Sequence, residues 1–224
     1  MAGTLYLVAT PIGNYEDITL RALKILEAVD LIVCEERKEG LALLHHYNIE
    51  KQVETLNEHN EIPATNTILE WLKEGKSIAL ISDCGTPVFA DPGQILVKKA
   101  IENNIKIVPI PGASSLMPAL IVSGFPIKEF AFIGFLPQKR ERRLYALNQL
   151  KREKRAMVIM DTPYRLIQLL RDIAQTFGET RRICVAIDLT MPTEEIHHGT
   201  ARELYKQFLE SKKKGEFVIV IESQ

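Results

Sequence analysis

Only three cysteines occur, Cys34, Cys84 and Cys184. Their odd number and wide spacing exclude a disulfide framework and offer no zinc motif, so a bound metal is not expected. No run approaches the roughly 18 apolar residues that a membrane span needs. The opening MAGTLYLVATPIGN carries no basic residue before Arg21 and leads straight into a strand-like pattern, which is not how a signal peptide begins. A cytoplasmic location is the expectation. Neither sign of charge is in excess: 28 basic and 29 acidic residues leave a net −1. That excludes affinity resting on a strongly basic overall field, so any grip on a nucleic acid has to be regional. G-x-G-x-x-G and G-x-x-x-x-G-K-[ST] are both missing, which removes motif support for a dinucleotide fold or a P-loop. There is no repeat of fixed period and no linker-like stretch dominated by Ser, Gly, Pro or one charge.

What the chain does contain is alternation. TLYLVA, LIVCE, SIALIS, IKIVPI, FAFIGF, RAMVIMD, RICVAID and EFVIVIE are short β-branched apolar runs of the kind that form strands buried on both faces. Between them lie ITLRALKILEA, ATNTILEWLKEG, GQILVKKAIENN, RRLYALNQLKRE, RLIQLLRDIAQTF and ARELYKQFLESKK, with apolar residues at helical spacing. The fold class is therefore α/β. The Gly-Phe-Pro turn, single strand and Pro-Gln-Lys-Arg loop from Phe125 to Pro137 suggest a boundary between two lobes, residues 1–126 and 127–224.

In open α/β sheets ligands collect beyond the carboxyl ends of the strands. After the first run comes Thr10-Pro11-Ile12-Gly13-Asn14, which reads as a plain turn with Asp17 or Thr19 as a helix cap, or as a ligand loop. Ser82 to Gly93 is longer and carries two carboxylates. Gly85 permits close backbone approach, the prolines stiffen the loop, and Asp83 can accept hydrogen bonds from an amine or a ribose hydroxyl. A bland turn with Asp91 capping the next helix is the alternative. Pro111-Gly112-Ala113-Ser114-Ser115 follows IKIVPI, where free backbone amides and two hydroxyls suit an anion or an ordinary N-cap equally.

Taken in order, ATPIGNYEDITLRAL, NEHNE, ISDCGTPVFADPG, VPIPGASS, GFPIKEFAFIGFLP and KGEF resemble the class III S-adenosylmethionine methyltransferases, the tetrapyrrole methylase superfamily. Within it they resemble the branch that methylates a cytidine 2′-hydroxyl of small subunit ribosomal RNA. The likeness covers essentially the whole chain. It implies a two-lobed fold with the active site in a cleft between the lobes, a homodimer, and S-adenosylmethionine held by Asp83, Cys84, Gly85, Thr86, Pro111, Gly112, Ser114 and Ser115. A sulfonium is already an excellent leaving centre, so such an enzyme chiefly aligns nucleophile, methyl carbon and sulfur.

A ribose hydroxyl benefits from a base as its proton leaves. His59, in the EHNE motif, and the pair Glu35 and Glu36 at the end of the second strand are the catalytic candidates. The alternatives are a structural loop histidine and a solvated acidic pair. Lys139, Arg140, Arg142 and Arg143 form the best local RNA-phosphate site, or equally a charged helix start. Two family segments are altered. Tyr-Glu-Ser-Pro-His-Arg becomes Met160 to Arg165, with Tyr164 at the histidine position, and Arg-Glu-Leu-Thr-Lys becomes Ile187 to Met191, losing two basic residues. The chain also stops after KGEFVIVIESQ, where typical members continue into a helical extension. Weak binding to naked RNA is the expectation. A methylase of a tetrapyrrole or other small substrate, and a silent module binding S-adenosylmethionine or RNA, stay open as alternatives.

Overall fold

A computed structural model describes residues 2–223. The chain divides into two compact units, Met1–Ser114 and Ser115–Gln224. Among the described residues no helix is long and apolar enough to cross a membrane.

The first unit is a five-stranded sheet of β1 (Thr4–Val8), β2 (Leu31–Cys34), β3 (Val53–Thr55), β4 (Ile78–Ile81) and β5 (Lys106–Ile110), in the order β3-β2-β4-β1-β5. Every pair is parallel. The period-two alternation of side chains splits β1, β2, β4 and β5 between two cores. Val8, Ile32, Cys34, Ala79 and Ile81 pack with α1 (Leu20–Ala28) and α2 (Arg37–His46), whereas Leu5, Val33, Ile78 and Leu80 pack with α3 (Glu61–Lys73) and α4 (Gln94–Glu102). Residues on both faces are thus apolar, which is why these strands read as continuous runs. β3 and α2 escaped the sequence reading. β3 is three residues long, and Gly40 interrupts α2; a Cβ there would come 2.7 Å from Cys34 Sγ, so glycine lets the helix approach the strand.

The second unit orders its strands β6-β7-β10-β8-β9, from β6 (Phe130–Phe135), β7 (Ala156–Asp161), β8 (Arg182–Ile187), β9 (Glu195–Thr200) and β10 (Phe217–Ile221). Only β6 and β7 are parallel; the remaining pairs are antiparallel. α6 (Arg140–Gln149), α7 (Leu166–Phe177) and α8 (Ala201–Ser211) cover one face, through Leu147, Leu169, Leu170, Ile173, Leu204 and Phe208. β9 escaped notice because EIHHGT holds a single strongly apolar residue. An edge strand is fixed by its backbone pairing with β8 rather than by burial.

α5 (Leu116–Val122), which a boundary at 126 would leave with the first lobe, instead packs on β8 and β10. Its Ala119 and Leu120 are buried, and the Phe125 that follows is itself 7% exposed with the Arg182 guanidinium 5.4 Å from its ring. The Gly-Phe-Pro turn therefore lies inside the second unit, and the break comes at the PGASS loop.

Candidate active site

In the first unit, β1 and β2 send their following helices to one face of the sheet and β4 sends its helix to the other. The carboxyl end of β4, flanked by β2 and β1, is therefore a topological switch point, where open α/β sheets bind ligands. Three loops are tied together there. Thr10 donates its amide to Gly85 O at 2.9 Å and its hydroxyl to Ser82 O at 2.9 Å, and Thr86 Oγ1 donates to Ala113 O at 3.4 Å.

Glycine is required at two points of this seam. Gly85 is buried at φ +87°, with the site of a Cβ 3.2 Å from Ile12 Cγ2; a Cβ on Gly112 would sit 3.1 Å from Ala9. Val88 adopts φ +69° in the same loop, a conformation costly for a β-branched residue and typical of functional segments. Asn14 accepts from Glu16 N and Thr19 from Ala22 N, so these two residues are the caps and Asp17 is not. Ser115 precedes α5 without a side-chain capping bond.

Carboxylates gather beside the seam. Glu35, Glu58, Glu61 and Asp91, with Ala90, Pro92, Gln94 and Ile95, line a pocket of about 400 Å³. Burial raises the Glu35 pKa, and the negative charges of Asp91, Asp83, Glu36 and Glu58 raise it further. Asp83 is raised by burial, an effect opposed by the Glu36 amide donated to it at 3.2 Å and reinforced by Asp91, Glu36 and Glu39. Asp91 is raised by burial and opposed by the Ser82 hydroxyl, which donates to it at 2.5 Å. Asp91 therefore does not cap α4. That role falls to Glu61, whose Oε1 accepts from Gly93 N at 2.9 Å and Ile95 N at 3.4 Å. Among the described residues no group of three or more His, Cys, Asp or Glu is arranged to hold a metal ion.

Of the catalytic candidates, Glu35 enters this pocket. Glu36 is exposed, and His59 has a side chain 85% exposed beside Glu58, 3.5 Å away. Glu58 and Glu61 belong to EHNE, but a carboxylate in a turn or at the first residue of a helix carries no sign of what it will face.

The basic segment divides sharply. Lys139 and Arg142 are exposed. Arg140 donates to Asp172 at 3.1 Å and to Gln175 at 3.0 Å. Arg143 is not a phosphate ligand: it is 1% exposed, bonds Asp172 through Nε at 2.9 Å and Nη2 at 2.8 Å, and donates Nη1 to Gln138 O at 2.8 Å. Helical periodicity places position 143 with Leu147 on the inner face of α6, where an arginine survives only if paired.

This chain belongs to the tetrapyrrole (corrin/porphyrin) methylases, whose family model matches residues 4–205. It is a methyltransferase that uses S-adenosylmethionine. Within that family its relatives include "Ribosomal RNA small subunit methyltransferase I" of Halalkalibacterium halodurans, 40% identical over 98% of this chain and 76% of the relative. The protein of the same name in Thermotoga maritima is 42% identical over 98% of both chains. Solved structures with the same fold include a uroporphyrin-III-C-methyltransferase from Thermus thermophilus (TM-score 0.68, 19% identity, 98% of this chain and 94% of that one). Another is a diphthine synthase (TM-score 0.78, 14% identity, 99% and 90%).

The residues present fit the cofactor. Gly85 and Gly112 let the loops pack closely on Ile12 and Ala9, and beside them Asp83 and the exposed Thr86 offer polar groups of the kind that an amine and hydroxyls need.

Proposed function

We propose that this protein methylates the ribose 2′-hydroxyl of a cytidine in small subunit ribosomal RNA, as a cytoplasmic homodimer. The observation that carries the reading is the 40–42% identity, over nearly the whole chain, to relatives named for small subunit ribosomal RNA methylation. The glycine-lined seam at the switch point supports it.

When bound, S-adenosylmethionine supplies a methyl group activated by its sulfonium. Asp83, Cys84, Gly85, Thr86, Pro111, Gly112, Ser114 and Ser115 hold it, chiefly through backbone groups on the stitched loops. The Glu35 carboxylate takes the proton that leaves the ribose oxygen. Burial and its acidic neighbours make it a stronger base than a solvated glutamate, which suits a base working near neutral pH. Glu36 and His59 contact the substrate from the exposed surface, and Lys139 and Arg142 take phosphates without reading sequence.

The test is incubation of the protein and labelled cofactor with under-methylated small subunits, free ribosomal RNA and whole ribosomes in one buffer. A 2′-O-methylcytidine in the digested RNA is the expected product. A methylated base, or transfer to a tetrapyrrole and not to RNA, overturns the assignment.

A further inference from the structure

At the end of the second sheet where β6 and β7 finish and β10 begins, the ring of Tyr164 stands 75% exposed. Exposure of so large a ring is unfavourable, yet the turn presenting it is firmly anchored. Residues Pro163–Arg165 form a short 3₁₀ turn. The Arg165 guanidinium pairs with the buried Asp161 at 3.0 Å and donates to Leu136 O at 3.0 Å and Pro137 O at 2.8 Å. These bonds tie the turn to the loop that leads into Lys139. Rigid backbone on both sides of Tyr164 lowers the entropy lost when something stacks on it.

A cation accompanies the ring. Lys214 Nζ lies 5.2 Å from its centroid, within cation–π range. Lys214 precedes Gly215, where a Cβ would fall 2.4 Å from Asp188 Oδ1, so the segment must run tight against the loop after β8. That loop is strained and internally braced. Asp188 and Thr190 adopt φ +50° and +69°, while Thr193 Oγ1 donates to Asp188 at 2.9 Å and Thr190 N to Glu194 at 2.7 Å. Three loops thus fix a largely exposed aromatic ring with an ammonium over one of its faces, and the exposed Lys139 stands on the loop that Arg165 anchors.

We propose that Tyr164 and Lys214 form a nucleotide-binding platform on the second unit, the ring stacking on an unpaired base and the ammonium meeting its phosphate. This rests on the reading of RNA as substrate and deepens it. Stacking on an aromatic face is tolerant of base identity, so the platform holds a single strand without choosing its sequence. It adds a regional grip that a chain of net charge −1 needs.

The experiment uses the 224-residue chain saturated with S-adenosylhomocysteine and a labelled single-stranded oligoribonucleotide, titrated at several salt concentrations. Tyr164→Ala weakens binding roughly 5- to 100-fold, in line with the loss of one base–aromatic stack. Tyr164→Phe binds as the parent does, since the ring and not the hydroxyl is used. Lys214→Gln lowers the salt slope by about 0.7, one phosphate contact on a single strand. Unchanged cofactor affinity in each variant shows that the fold is intact. Equal RNA affinity for Tyr164→Ala and the parent overturns the platform, as does a parent chain that binds no oligoribonucleotide at low salt. Failure of the substrate assignment reads differently: the oligonucleotide still binds through Tyr164, but no ribose of the small subunit is methylated.

Discussion

Replacing Asp172 by alanine removes the carboxylate that Arg143 needs in the interior of the second unit. Asp172 is fully buried and receives Arg143, Arg140 and Arg171, the first through two nitrogens at 2.8–2.9 Å. Arg140 and Arg171 keep 49% and 44% of their side chains in contact with solvent and can be rehydrated. Arg143, with 2% of its side chain exposed, cannot. Leaving one member of a buried pair uncompensated costs about 3–5 kcal/mol. At roughly 2–4 °C per kcal/mol for a chain of this size, Asp172→Ala should lower Tm by roughly 6–20 °C. Arg143→Met should fall by less, because Asp172 keeps Arg140 and Arg171 when it loses Arg143. The double replacement Arg143→Met with Asp172→Leu should recover most of the loss, since both charges leave the core together. Arg142→Ala, the neighbouring residue in sequence but exposed, should stay within about 0.5 kcal/mol. Thermal melts by circular dichroism read all four. If Arg143→Met melts within about 2 °C of the parent and instead loses RNA affinity, the structural account of Arg143 is refuted.

Three further outcomes follow from the first unit. Gly85→Val places a β-branched residue at φ +87° and a Cβ 3.2 Å from Ile12, so calorimetry should show S-adenosylmethionine affinity falling about tenfold or more, at a backbone cost of about 1–2 kcal/mol; unchanged affinity would move the cofactor elsewhere. Glu35→Gln should cut methyl transfer about 10²–10⁴-fold with cofactor affinity retained, and parent activity should fall as pH drops through the raised Glu35 pKa. Because the folded-state pKa of Glu35 lies above the unfolded one, its ionised form destabilises the fold at neutral pH and the penalty lifts as pH falls through the folded value. Glu35→Gln should therefore melt higher than the parent at pH 7 and converge with it in acid; a lower Tm at pH 7 would contradict this. Glu61→Ala removes the acceptor for Gly93 N and Ile95 N and should cost about 0.5–2 kcal/mol, with faster amide exchange at the start of α4 as the direct readout.

Each apolar run in the sequence became a strand; β2, β4, β7, β8 and β10 are buried on both faces, which demands an unbroken apolar stretch and leaves a local signature, whereas β5 and β6 are only partly buried. The glycines of SDCGTP and PGASS were legible for a similar reason: their role is a backbone property of their own positions. What the sequence by itself determined about this protein is therefore its α/β class, its main strands and the loops that meet at the switch point. Tertiary structure alone decided which charges are used where. Arg142 and Arg143 are adjacent and chemically identical, yet one faces water and the other is locked to Asp172, a partner 29 residues away on α7. Glu35 and Glu36 part in the same way, one entering the acidic pocket and the other staying in solvent. Which role a charged side chain takes depends on dielectric and on partners brought in from distant segments, and neither is written in its own neighbourhood.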